Sequence, residues 1–354
     1  MLIRAKKLGE FLPQAVKELA AVLAEREFVC FVVGGAIRDI LRGKSAKDID
    51  LATDARPEQI EEIFPDSIPT GKAFGTVTVR YNNNHYQITT FRKETGYADS
   101  RHPDSIEYSK DIREDVRRRD FTINALAYSP VTNELIDEFN GLEDLQNKVI
   151  RTVRNPAERF AEDGLRVLRA LRFMAVTGFT LEAETAKEVA ARIPGYLTLA
   201  SKERIFEELD KIIQSDAPDN ATPLLGWPAL NSLDRQVRWA AVVREHPEVR
   251  GIILEKKLNR WIDRLLKYDL DTDKASMEIA DLQIDGIDVM ELGPRGEQVG
   301  YVLETLLEVV IERRSFNKKS ILLELTKDIM AGYTAQAILQ READKKALAK
   351  GPLF

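Results

Sequence analysis

Much of what would betray a function early is scarce in this chain. Cysteine occurs once, at Cys30 inside an apolar stretch, so no disulfide can form within the chain and the residue reads as a small core side chain. Histidine occurs three times, at the scattered positions His85, His102 and His246, which argues against a histidine-built metal site or a catalytic triad. No run of 18 apolar residues is present, and Met1 to Lys7 lack the apolar core of a secretion signal, so a soluble cytoplasmic protein without membrane association is expected. An excess of positive charge is missing too: 52 Lys and Arg stand against 58 Asp and Glu, for a net charge of −6. A nucleic-acid surface on such a chain has to be local.

What is present is 354 residues, 44% hydrophobic and 31% charged, enough for two to four compact units. The first 140 or so alternate in period. An amphipathic helix is expected over 11–26, with Ala15, Leu19, Val22 and Leu23 as its stripe. Strands are expected over 28–33, 47–52, 75–81 and 85–91, with a helix over 36–42. A short helix opens at Arg56-Pro57 and turns Ile60, Ile63 and Phe64 inward. Asn82-Asn83-Asn84 has the chemistry of a hairpin turn. Residues 92–110 are polar, carry Gly96 and Pro103, and read as a loop. Residues 120–128 begin as a helix, and 133–139 form a last strand or turn. From Gly141 onward the periodicity is helical: 142–145, 158–176, 182–193, 202–213, 233–244, 251–268, 274–281, 296–313 and 317–330, with 342–354 frayed. The fold class is α+β, a small mixed sheet with helices followed by a helical remainder.

Three constellations carry chemistry. In the first, the apolar run Phe31-Val32-Val33 meets Gly34-Gly35, a helical segment with Arg38 and Asp39 follows, and then Asp48-Ile49-Asp50. On a strand, positions i and i+2 share a face, so Asp48 and Asp50 are expected side by side with Ile49 and Leu51 turned inward. Adjacent carboxylates repel unless a cation lies between them, and a hard divalent ion shared with phosphate oxygens is the usual solution. The Gly-Gly turn lets backbone approach a ligand, and the helix after it offers unpaired amides to an anion. In the second, Arg117-Arg118-Arg119-Asp120 with Asn124 can clamp phosphates, or be a solvated basic helix start. In the third, Phe160, Leu165, Leu168 and Leu171 mark a core face of one helix. Asp163 and Arg166 sit three apart on another face, fit to read a base edge, or simply an exposed ion pair. Between Ile150 and Phe173 six arginines, Arg169 and Arg172 among them, face three acids, a local charge of +3 in an acidic protein.

In this order and spacing the motifs Gly-Gly-x-x-Arg-Asp, Asp-x-Asp, Arg-Arg-Asp-Phe-Thr-x-Asn-Ala and Glu-Asp-x-x-Arg resemble the class II tRNA nucleotidyltransferases, the CCA-adding enzymes, whose head bacterial poly(A) polymerases share. The likeness is clear over about residues 28–213. It implies a nucleotidyltransferase head over 1–140, a nucleobase-reading neck over 141–215, a body over 216–285 and a tRNA-binding tail over 286–354. It implies two Mg²⁺ ions on Asp48 and Asp50, for a two-metal in-line transfer to the 3′-hydroxyl. Gly34, Gly35, Arg38 and Asp39 would shape the triphosphate site, and Arg119, Asp120 and Asn124 would contact sugar and phosphates. Asp163 and Arg166 would select CTP and then ATP without a template, with Arg169 and Arg172 extending the basic face. The stretch Lys202 to Glu208 stands where the family has a helix that supports the base-reading one. Gly96, Tyr97, Asp99 and Arg101 fall in the family's flexible loop, whose presence argues against an enzyme that adds only C. The implied partners are tRNA, through its acceptor stem and 3′ end, and the two triphosphates. Basic candidates for the RNA are Lys256, Lys257, Arg260 and Arg264, then Arg313, Arg314, Lys318 and Lys319. Gln87 stands where relatives commonly have Glu. An A-adding enzyme, a poly(A) polymerase and a silent RNA-binding homologue remain alternatives, and monomer and homodimer are equally compatible with the pattern.

Overall fold

The computed structural model describes residues 7–46, 48–69, 71–95, 105–230, 234–267 and 269–349. It divides into two compact units. One runs to Arg238 and takes in Glu245–Leu254; the other comprises Trp239–Arg244 and everything from Glu255 on.

The first unit is built on six strands: β1 (Cys30–Val33), β2 (Asp50–Thr53), β3 (Thr76–Tyr81), β4 (Asn84–Thr90), β7 (Leu126–Tyr128) and β8 (Leu135–Asp137). Their order across the sheet is β3-β4-β2-β1-β7-β8. Only β2 and β4 run parallel; the other neighbours are antiparallel. The strands β1 and β7 at the centre are buried throughout, as strands covered on both faces must be, whereas edge strand β3 alternates and turns Thr and Arg outward. Asn82 and Asn83 both take positive φ (48° and 61°), the conformation of a two-residue hairpin turn. Phe31, Val33, Ala52, Phe91, Val116, Ala125 and Val153 form one core cluster of the unit.

Several expectations are corrected. The first helix is Gln14–Glu25, and its inward stripe is Val16, Leu19, Ala20 and Leu23, so Ala15 and Val22 are only half-buried. Residues 92–110 contain an antiparallel ribbon, β5 (Arg92–Thr95) with β6 (Ser105–Tyr108), since pairing satisfies backbone groups that a loop would leave to water. The helix ahead of the second constellation is Ile112–Arg117; Thr122–Asn124 is a single tight turn and Leu126–Tyr128 is already sheet. The stretch 158–176 is two helices, Pro156–Glu162 and Leu165–Thr177. Parallel β9 (Val149–Ile150) and β10 (Thr180–Leu181) bracket that pair.

The second unit is helical among its described residues. Val302, Leu306, Val309 and Val310 of Glu297–Glu312 pack with Leu322, Leu325 and Ile329 of Lys319–Met330 and with Ile338. The closing helix Ala335–Ala349 covers most of the segment expected to fray. No helix among the described residues is long and apolar enough to cross a membrane.

Cys30 is 2% exposed in β1, and burial with the nearby Asp54 charge pushes its thiol up to about 12. The native protein is therefore expected to resist iodoacetamide at neutral pH, while the denatured chain takes one adduct. Rapid native labelling, read by intact mass, would mean that β1 opens.

Candidate functional site

The strand β1 stops at Val33, and Gly34 takes φ +74° and ψ −137°, a conformation only glycine adopts without strain. A Cβ there would also lie 3.0 Å from Arg119 Nη1. The turn releases the chain into the helix Gly35–Leu41 and leaves its start beside the neighbouring strand, where Val33 pairs with Asp50. The strand β2 begins only at Asp50, so Asp48 belongs to the segment before it, and alternation along one strand is not what brings the two carboxylates together. They nonetheless line the same cleft. Leu51 is buried as expected; Ile49 is half-buried.

Burial raises the Asp50 carboxyl above its ordinary range. The Arg119 charge works against this and the Asp48 charge adds to it. No hydrogen bond or ion pair engages either carboxylate among the described residues, and no third acid, histidine or cysteine joins them there in a metal-holding group. Two unpaired carboxylates suit a hard cation that completes its shell with phosphate oxygens and water, as Mg²⁺ commonly does. The strand register, Leu51 opposite Ile88, sets Gln87 at the level of Asp50.

Around them stands a framework of arginines, each held by acceptors. Arg38 donates to Asn124 Oδ1 (2.7 Å) and, through two nitrogens, to Asp39 (2.9 and 2.8 Å). Asn124 in turn donates to Asp120 Oδ1 (3.1 Å), whose other oxygen accepts from Arg169 Nε (2.8 Å). Arg118 and Arg119 both reach Asp115 (2.7 and 2.9 Å), which is fully buried beneath them. Burial alone would raise the Asp120 carboxyl. The Arg169 charge, the Asn124 and Arg169 hydrogen bonds and the Phe121 N–H together hold it well below the usual range. Its contribution to stability is therefore complete above the ordinary carboxylate pKa, and it is lost only as pH falls through the lower folded value.

The third constellation is assembled by a break rather than by one helix face. Asp163 leaves the helical region (φ −147°, ψ 104°), accepts the Leu165 N–H (3.1 Å) and takes two bonds from Arg204 (3.3 and 2.9 Å). Arg166 follows in the next helix, 8% exposed, and donates to the Arg159 carbonyl (2.8 Å) and to Glu162 (2.7 Å). The helix Lys202–Ile213 supplies both Arg204 and Glu208; the latter lies 3.8 Å from Arg169 and 3.0 Å from Arg172.

The two carboxylates and most of the arginines with their acceptors open on one cleft of about 970 Å³, with Asp115, Glu162 and Glu208 behind its wall. Its lining holds Gly34, Gly35, Arg38, Asp39, Asp48, Asp50, Arg118, Arg119, Asp120, Asn124, Asp163, Arg166, Arg169 and Arg172; of the residues the three constellations nominated for metal and nucleotide, Arg117 alone is not among them and is exposed at the end of its helix. It also holds Arg42, Lys44, Phe173, Arg204 and Lys211, to which the sequence pattern alone assigns no such role. Among the described residues, ten cationic side chains face five carboxylates there, in a protein of net negative charge. Gly96, Tyr97, Asp99 and Arg101 lie outside the described residues. The basic candidates of the second unit stand apart from this inventory. Lys256, Lys257, Arg260, Arg314 and Lys318 are exposed, Arg264 lies 3.8 Å from Glu278, Arg313 lies over Phe316, and Lys319 pairs with Asp288 (2.5 Å).

Known proteins resemble this chain in two ways. Residues 30–151 match the family described as the poly A polymerase head domain, and 178–225 match the probable RNA and SrmB-binding site of polymerase A. The CCA-adding enzyme of Lactobacillus helveticus is 43% identical over 211 residues, 60% of this chain and 52% of the relative. That of Bacillus subtilis is 41% identical over 204 residues, 58% and 51% respectively. The chain thus spans about half the length of the curated relatives it matches. Over a longer stretch it resembles the crystal structure of the Bacillus stearothermophilus CCA-adding enzyme in complex with CTP. That match has a TM-score of 0.69 and 25% identity, and covers 90% of this chain and 99% of the other. The fold is also that of the Thermotoga maritima CCA-adding enzyme complexed with tRNA (TM-score 0.63, 20% identity, 92% and 98% covered). The likeness carried by the four motifs is thus found again both in sequence and in fold.

Proposed function

We propose that the chain is a template-independent tRNA nucleotidyltransferase that adds C, C and A to the tRNA 3′ end from CTP and ATP. One observation carries this reading: a single cleft sets two unpartnered carboxylates among ten cationic side chains. Such a cleft suits a metal-bound triphosphate, and relatives solved with CTP share its fold. Asp48 and Asp50 would hold Mg²⁺, which when bound activates a hydroxyl and neutralises a leaving pyrophosphate. Gly34 and Gly35 let backbone approach the phosphates, and Arg38, braced by Asp39 and Asn124, grips them with Arg119. Asp120 and Asn124 face the sugar. Asp163, fixed by Arg204, and Arg166 read the base, and Arg169 and Arg172 extend the cationic wall. The RNA 3′-hydroxyl oxygen attacks the α-phosphorus in line and gives its proton to solvent water, the bond from the α-phosphorus to the α–β bridging oxygen breaks, and pyrophosphate leaves with that bond's electron pair. Positioning and charge stabilisation supply most of the rate. The four-part division at 140, 215 and 285, and phosphate contacts from Lys256, Lys257, Arg260, Arg264, Arg313, Arg314, Lys318 and Lys319, belong to the same reading.

The test uses three tRNA transcripts, ending before CCA, at C and at CC, each incubated with Mg²⁺ and CTP, ATP or both. Growth of all three to CCA followed by a stop is the expected result. Extension of the CC-ended transcript alone, by ATP, would replace it with an A-adding enzyme, and long A tails with a poly(A) polymerase. No extension at all would sink the enzymatic reading.

A further inference from the structure

Phe173 closes the arginine-rich segment and is 6% exposed in the wall of the cleft. Three guanidinium groups surround its ring: Arg172 at 4.5 Å from the centroid, Arg38 at 5.1 Å and Arg169 at 5.7 Å. Phe121 meets the same ring edge-on, centroids 5.5 Å apart at 81°. These three cations come from two separated stretches of chain, and all three line the cleft. Packing like charges around one point needs compensation. Asp39 offsets Arg38, Asp120 offsets Arg169 and Glu208 lies beside Arg172. Arg172 is the least well served. Burial, then the Arg169 and Arg38 charges, lower its pKa against the pull of Glu208 and Asp120, and its terminal nitrogens donate to no described residue.

An aromatic face attracts a guanidinium through its quadrupole, and it does so without accepting the in-plane N–H bonds. A carboxylate in the same place would consume those donors. We propose that Phe173 is a positioning residue: its ring holds Arg38, Arg169 and Arg172 at fixed spacing without taking up the N–H groups that Asp39, Asn124, Asp120 and Glu208 leave to a polyphosphate. This rests on the reading of the cleft as a nucleoside triphosphate site. It assigns to the ring a role that its bulk alone would not fill, because leucine is apolar at the same place but offers no negative face.

The experiment compares the wild-type chain, Phe173→Leu, and chains in which Phe173 is replaced by mono-, di- and trifluorophenylalanine, a series of nearly constant shape and falling ring potential. Each is measured for CTP affinity by calorimetry, for KM and kcat on a CC-requiring tRNA, and for thermal midpoint. Phe173→Leu is expected to weaken CTP about tenfold. Across the fluorinated series the logarithm of the affinity should fall with each fluorine, KM should follow, and the midpoint should stay within about 2 °C of wild type. Affinity that ignores fluorine content, or that follows the thermal midpoint instead, overturns the proposal. Failure of the folded wild-type chain itself to bind CTP overturns the reading beneath it.

Discussion

Asp48→Ala and Asp50→Ala are each expected to lose nucleotide transfer by at least about a thousandfold, with folding intact and tRNA affinity nearly unchanged. The expectation follows from what these carboxylates lack. Nothing described in the chain donates to them, and Asp50 carries the cost of burial and of its charged neighbour. Removing either takes away no hydrogen bond, and at Asp50 the cost of burial outweighs the attraction of Arg119, so the thermal midpoint should hold or rise slightly. Residues that stabilise a fold behave in the opposite way. Asp120 accepts from Phe121 N–H, Asn124 and Arg169, and its loss leaves the buried Asn124 amide and the half-buried Arg169 without their acceptor, with only Glu208 at 3.8 Å beside the arginine. Asp120→Ala should therefore cost about 1–3 kcal/mol of stability. The pair of results separates a site from a scaffold. Single-nucleotide extension with CTP, filter binding of tRNA and thermal melting give the three readouts. Transfer within tenfold of wild type by either Asp48→Ala or Asp50→Ala would remove the metal assignment. A fall in stability equal to that of Asp120→Ala would recast the two as structural acids.

The strand–glycine–helix–strand order around Gly34 was legible because each step has a local cause: a four-residue apolar run, a glycine pair and a helical period. So was the set of cleft residues, since unusual residue types at fixed intervals survive errors in the elements that carry them. Asp48 shows this well; it lies before β2 rather than in it, yet reaches the same cleft as Asp50. What escaped depends on distant partners. The β5–β6 ribbon pairs Arg92 with Tyr108 across an intervening stretch that carries no strand signal. The apolar stripe of Phe160, Leu165, Leu168 and Leu171 runs unbroken through a real break, because the break is set by tertiary packing: a Cβ on Gly164 would lie 2.9 Å from the Leu199 carbonyl oxygen. Asp115 carries no signal in the sequence, and only the fold reveals that it is fully buried under Arg118 and Arg119. Arg204 lies 41 residues from the Asp163 it fixes, with no sequence spacing to join them.

That last contact sets up the second large effect, on specificity. Asp163→Asn is expected to narrow the preference for CTP over UTP by about 10–100-fold, the worth of one good base-edge contact. Cytosine and adenine both present an exocyclic amine where uracil and guanine present a carbonyl. A carboxylate only accepts, so it bonds the amines and repels the carbonyls. Two bonds from Arg204 keep the Asp163 carboxylate in one orientation, and the Leu165 N–H occupies part of one oxygen. Asparagine can turn an N–H toward the uracil carbonyl, and the rejection of UTP loses its electrostatic basis. Arg204→Ala tests the brace separately. It keeps the carboxylate, so it should lower kcat/KM for CTP by misplacing the acceptor without admitting UTP. The measurement is kcat/KM for CTP and UTP on the transcript lacking CCA, for wild type and both variants. Unchanged discrimination in Asp163→Asn would take base selection away from Asp163. An equal loss of discrimination in Arg204→Ala would mean that orientation, rather than acceptor chemistry, makes the choice.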